Sequence, residues 1–98
     1  MIRVTGQLIC ATAEDAALVT TLLPEHIRLS RDERGCLSFS VTQSNDPLVW
    51  HLDETFIDRT AFKAHQTRTR ASEWFRATSH LGRNFLITDA AGQGQDAE

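Results

Sequence analysis

The sequence predicts an α+β fold whose six elements run β-α-β-β-α-β and close within 98 residues. Three observations carry this. Apolar and polar side chains alternate, as they do in half-buried strands, over 2–10, 36–42 and 48–56, and a last apolar run covers 84–88. Apolar residues recur at helical spacing between the first two of these segments and again after the third. Gly35, Asn45-Asp46-Pro47 and Gly82 punctuate the changes of period. Right-handed crossovers turn this order into a four-stranded antiparallel sheet, strands 4-1-3-2, with helices on one face. The other face is expected to be bare and partly apolar. In so short a chain a second copy is the cheapest cover, so the sequence argues for a symmetric homodimer.

Along the first strand Ile2, Val4, Gly6 and Leu8 share one face, with Arg3, Thr5 and Gln7 opposite. Thr12 then reads as a helix N-cap, with Glu14 and Asp15 in the first turn, where acids favour the helix dipole. Ala16, Val19, Leu23 and Ile27 form the apolar stripe, and Pro24 should kink the helix by removing a donor. Gly35 is expected to stop it in the left-handed conformation. Leu37, Phe39 and Val41 are placed on one face of the second strand. The third puts Leu48, Trp50, Leu52, Glu54 and Phe56 on one side, and the turn between them makes a hairpin. Asp58 caps the second helical region, where Ala61, Phe62 and His65 share a face. The stripe goes blank over 66–70, which predicts two helices broken around Thr67–Thr69. Ala71, Trp74, Phe75 and Thr78 carry it on to Gly82. Residues 1–89 thus form one ferredoxin-like domain, and 90–98, rich in Gly and Gln, read as a frayed tail.

Composition narrows the function classes. A net charge of −3 offers no basic stripe for nucleic acid. No apolar run approaches the ~20 residues that span a bilayer. The opening residues alternate like a strand and lack the apolar block of a signal peptide, so a cytoplasmic location is expected. Cys10 ends one strand and Cys36 begins another that runs parallel to it two places away. The topology therefore sets the thiols at opposite ends of the sheet, too far apart to bridge.

Two stretches resemble a known family. Arg34-Gly35-Cys36-Leu37-Ser38-Phe39-Ser40-Val41, and Asp53 to His65 with its Asp58, Ala61, Phe62 and His65, are similar to the EPGCLxFEV and ExWxDxxAFxAH segments of antibiotic biosynthesis monooxygenase domains. The resemblance covers about residues 2–89. It implies a dimeric α+β barrel. Characterised members oxidise phenolic, hydroquinone-like or polyketide substrates with molecular oxygen and without flavin, metal or haem; a smaller branch degrades haem. Several catalytic members carry a tryptophan at the position of Phe56 and an asparagine on the first strand. Here the first strand has Gly6 and Gln7, and the chain has no tyrosine.

The expected reaction is a cofactor-free oxidation of a small electron-rich aromatic by O2. It needs a base, a dry pocket and a donor for developing charge. His65 is the candidate base, since its unperturbed pKa lies near neutrality; a buried structural histidine is the competing reading. Trp50, Phe56, Phe62 and Trp74 are candidate substrate-binding walls, or plain core. His51 and Asp53 share a strand face, but no ligand spacing makes them a metal site. Arg68, Arg70, Arg76 and Arg83 form a loose basic cluster to which Glu54 could pair. The alternative function is a non-catalytic dimeric protein that binds a small molecule or serves as structure on the same fold.

Overall fold

In the computed structural model, which describes residues 1–89, the elements run β1 (Ile2–Ile9), α1 (Ala13–Arg31), β2 (Cys36–Gln43), β3 (Val49–Phe56), α2 (Arg59–Arg70), α3 (Glu73–Thr78) and β4 (Gly82–Asp89). The strands form one antiparallel sheet in the order β2-β3-β1-β4, the predicted order read from the other edge. The expected tail at 90–98 lies outside the described residues.

Register explains the core. Ile2 faces Phe56, Val4 faces Glu54 and Leu8 faces Trp50 across β1 and β3. Residues directly opposite share a sheet face. The helices cover that face, and these six side chains are all buried. Two apolar clusters result. One gathers Leu8, Val19, Leu23, Trp50, Trp74 and Leu81; the other gathers Ile2, Val4, Phe39, Leu52, Phe56 and Phe62.

Four local expectations need correction. Between Cys36 and Ser38 the pairing with β3 slips by one residue, a β-bulge. The extra residue, Leu37, leaves the alternation and is 57% exposed instead of joining Phe39. Helix α1 runs on through Pro24 to Arg31, and its C-cap is Asp32. Gly35, at φ +88°, does not cap it but opens β2 against α2, where an added Cβ would lie 2.5 Å from the Ala61 Cβ. The break in the second helical region falls at Ala71–Ser72, not at 67–69. The polar stretch stays helical because Arg68 has a tertiary partner, Ser30 Oγ at 2.9 Å. Ser72 makes the break: its hydroxyl donates to Thr69 O at 2.6 Å and accepts from Phe75 N–H at 3.1 Å. Finally, β4 begins at Gly82, two residues earlier than expected.

The helix-free face is mainly polar. Register places Arg3, Thr5, Gln7, His51, Asp53 and Asn84 on it, with Ile9 and Leu86 as its exposed large apolar residues. Apolar exposure concentrates instead on β4, where Phe85, Leu86 and Ile87 are each at least 40% exposed. Both caps are as expected: Thr12 accepts from Asp15 N–H and Asp58 from Ala61 N–H. Both cysteines are free. No helix among the described residues is long and apolar enough to cross a membrane.

Candidate active site

Among the described residues, five polar side chains are buried in this small core: His26 and Ser30 on α1, Glu54 on β3, His65 on α2 and Thr78 on α3. Burial of polar groups is costly unless they are paired, so their placement is informative. His26, Glu54 and His65 gather where the apolar clusters meet. His26 stacks on Trp74 of one cluster, with ring centres 4.9 Å apart, and stands edge-on to Phe39 of the other at 5.4 Å. A cavity of about 190 Å³ opens beside them, lined by His26, Glu54, His65, Phe62, Trp74 and Arg83 among others. Phe85 and Ile87 of β4 also line it while remaining partly exposed.

His65 is held from behind. Its Nδ1 lies 2.7 Å from Glu33 Oε1, and the second Glu33 oxygen accepts from Arg68 Nε, whose Nη2 donates to Ser30 Oγ. A carboxylate only accepts, so Nδ1 carries the imidazole proton and Nε2 keeps its lone pair. Thr69 Oγ1 is 3.4 Å and Glu54 Oε1 3.8 Å from that Nε2. Burial lowers the His65 pKa, and the Glu33 carboxylate partly restores it. Burial, with the charges of Glu33 and Asp53, raises Glu54 to about 8, so it is protonated at neutral pH. Burial pushes His26 down to about 3, helped by Arg68, His65 and Arg83, so it is neutral. Its Nδ1 has no hydrogen-bond partner. The arrangement can hold a flat apolar ligand against a neutral base and a neutral acid.

Of the residues singled out from sequence, His65, Phe62 and Trp74 line the cavity, as do Glu54, Arg70 and Arg83. Trp50 and Phe56 do not. Trp50 packs in the cluster with Leu8, Val19 and Leu23. Phe56 is fully buried, its ring 4.9 Å from that of His65, which it backs. Both are core because their strand runs beneath the helices for its whole length. The arginines do not cluster: Arg68 takes Glu33, Arg76 caps Ala71 O and Arg83 bonds Thr78, while Glu54 faces His65 and no arginine. Asp53 is tied to Arg3 on the outer face. Sequence reasoning missed His26 and Glu33, and named Arg83 only as one member of a basic cluster. His26 had a signal, since the buried residues of α1 (Val19, Leu23, His26 and Ser30) are spaced at helical period. Glu33 had none, sitting in a charged turn.

Fold and site together define a ferredoxin-like domain with an acid–base pair set in an apolar cavity. The chain belongs to the antibiotic biosynthesis monooxygenase family, whose model matches residues 1–77. Among solved structures it is similar to a candidate antibiotic biosynthesis monooxygenase of Deinococcus radiodurans, with 22% identity, coverage of 100% of this chain and 97% of that one, and a TM-score of 0.76. A candidate of the same kind from Nitrosomonas europaea is 19% identical, with coverage of 91% and 89% and a TM-score of 0.76. A Bacteroides thetaiotaomicron protein of unknown function, described as a possible oxidoreductase, is 15% identical, with coverage of 89% and 94% and a TM-score of 0.77. At these identities the likeness shows the fold alone. No curated protein matches the chain at a significant level.

Proposed function

We propose that this protein is a cofactor-independent monooxygenase that oxidises an electron-rich aromatic, a hydroquinone or phenol, with molecular oxygen. The observation that carries the reading is His65 Nε2: its tautomer is fixed by Glu33, and His65 lines an apolar cavity beside protonated Glu54. In this reading Nε2 takes the phenolic proton, and the resulting anion passes one electron to O2. The radical pair joins to form a C–O bond. Glu54 protonates the terminal peroxide oxygen. Its carboxylate then takes the C–H proton at the new C–O carbon as the O–O bond breaks. The departing hydroxide takes back the proton held on His65 and leaves as water, which restores both residues. For a hydroquinone the balance is substrate plus O2 giving hydroxyquinone plus water. His65 and Glu54 are themselves buried from bulk water, which strengthens these proton transfers.

The same proposal takes the working unit as a homodimer. The run Phe85-Leu86-Ile87 supports it, because a strand edge this apolar is normally covered; light scattering at micromolar concentration tests it, and a monomer removes that part. For the chemistry, oxygen uptake is followed across a panel of hydroquinones and anthrone-type phenols. Wild type should accelerate uptake over a boiled control, and His65→Ala should lose about 10²–10⁴-fold while keeping its thermal transition. No acceleration across the panel removes the reading. One observation favours a non-catalytic binding protein of the same fold: Gly6, on the covered face opposite Leu52 and Phe85, supplies no polar side chain where catalytic relatives carry an asparagine on this strand.

A further inference from the structure

Among the described residues two cations line the cavity without serving the site described above, Arg70 at its exposed rim and Arg83 inside it. Arg83 is the one held half-buried. Register pairs it with Leu8, so it lies on the covered face of β4, half-buried. Its partners are all neutral. Nη1 donates to Thr78 O at 2.7 Å, Nη2 donates to Thr78 Oγ1 at 3.0 Å, and the guanidinium carbon sits 5.4 Å from the centre of the Phe75 ring. Among the described residues it has no carboxylate partner and its Nε–H makes no hydrogen bond. A guanidinium has five N–H donors, so part of its fork remains free. Burying a cation without a counter-ion is costly, and this one lines a ligand cavity. The carboxylates nearby do not answer it: Glu33 is engaged by Arg68 and His65, and Glu54 is held neutral by burial. The cavity volume of about 190 Å³ compares with the ~150 Å³ apolar cavity that admits a benzene ring. It suits one ring with small substituents.

We propose that Arg83 selects a single-ring hydroquinone or phenol that bears a carboxylate, binding that carboxylate through its free N–H groups while the ring lies against Trp74 and His26. This rests on the reading of the cavity as a substrate site. It narrows the hydroquinone, phenol and polyketide range to aromatic acids of the dihydroxybenzoate kind. Charge-assisted, fork-shaped contacts of this sort are the strong ones.

The test is calorimetric titration of the full chain under nitrogen with 2,5-dihydroxybenzoate and with its methyl ester. Wild type should bind the acid on the order of tenfold tighter than the ester. Arg83→Gln should bring the ratio near one and leave ester affinity unchanged, and Arg70→Gln, at the exposed rim, should leave the ratio intact. Equal binding of acid and ester by wild type overturns the proposal. So does a ratio that survives Arg83→Gln, or one that disappears with Arg70→Gln alone. If Arg83→Gln fails to fold, Arg83→Lys gives the reading: a reduced ratio is expected, and an unchanged one overturns. Because no turnover is needed, acid-selective binding without oxygen uptake removes the oxygenase reading and leaves this one standing. Oxygen uptake indifferent to the carboxylate does the reverse.

Discussion

Strands β3 and β4 present their inward residues to the same side of one sheet, yet they meet different surroundings. On β3 every inward residue from Trp50 to Phe56 is buried, including the carboxyl of Glu54. On β4 none is: Arg83 is half-buried, and Phe85 and Ile87 are 40% and 48% exposed. The helices explain the difference. Helices α1 and α2 pack over β2 and β3, and no helix packs over β4 to the same extent. The cavity is the margin where that cover ends. The lesson is a division of labour within one sheet: the covered strand can shift the pKa of a carboxyl and back a histidine, and the uncovered strand provides the way in.

The largest effect should come from cutting the same ring on each strand. Phe56 is 0% exposed and packs on Phe62 and His65. Phe56→Ala should cost about 3–5 kcal/mol in urea unfolding. Phe85→Ala should cost under about 1 kcal/mol, as surface changes do, and should act on ligand affinity instead. Equal losses would mean that β4 is covered in solution by something beyond this chain, and would sharpen the case for a second copy.

Next comes the support of the proposed base, His65. Glu33→Gln removes the carboxylate that raises the His65 pKa and that holds Arg68. Stability should fall by about 1–3 kcal/mol as buried donors lose their partner. The kinetic readout is the pH profile. With the raising influence gone, the ascending limb of kcat/KM should move to lower pH, because His65 then loses its proton more readily. A limb that stays in place would assign Glu33 a purely structural role.

How much of this was legible beforehand follows the same division. Alternation on β1 and β3 and the caps Thr12 and Asp58 are local signals, and they gave the element order and the sheet. The bulge at Leu37 was not legible, since one inserted residue leaves an alternating string looking regular. The helix break at Ser72 was misplaced because a blank apolar stripe was read as a missing helix, whereas Arg68 is anchored by side chains some 35 residues away in sequence. For the site, His65 could be read from its place beside Phe62. Its partner Glu33 could not, because their meeting depends on how α1 ends against α2. Trp50 and Phe56 read as candidate walls from sequence because period-2 spacing tells which face a residue occupies, not whether that part of the face is filled.

The pH dependence of stability separates the buried acid from the buried base. Glu54 rises from 4.5 to about 8 on folding. Its contribution is complete below its unfolded pKa and is lost as pH climbs through the folded value. His26 falls from 6.5 to about 3, so its contribution is present above 6.5 and is lost as pH drops. Between the two unfolded values the effects oppose. Above pH 6.5 Glu54 acts alone, and the wild-type unfolding free energy should decline by about 1–2 kcal/mol toward pH 8. Glu54→Gln should flatten that alkaline decline, steepen the rise between pH 4.5 and 6.5 where the two had opposed, and leave the limb below pH 4.5, where His26 must charge, as it was. A decline that persists in Glu54→Gln would place its origin outside the cavity.

The smallest effect belongs to the face that no helix covers. Arg3 grips Asp53 in a two-bond pair, at 2.7 and 3.1 Å. The two side chains are 52% and 48% exposed. Water screens exposed pairs, and ordering two flexible groups offsets most of the attraction, so such pairs contribute about 0–1 kcal/mol. Asp53→Asn should therefore shift stability within that range and lose its effect in high salt. Its consequence for Glu54 is indirect: Asp53 is one of the charges that raise the Glu54 pKa, so the alkaline decline should move slightly toward neutrality as the buried carboxyl ionises more easily. A loss well above this range would show the pair to be shielded from solvent. Shielding of the polar face would in turn argue that a partner covers the whole back of the sheet rather than the β4 margin alone.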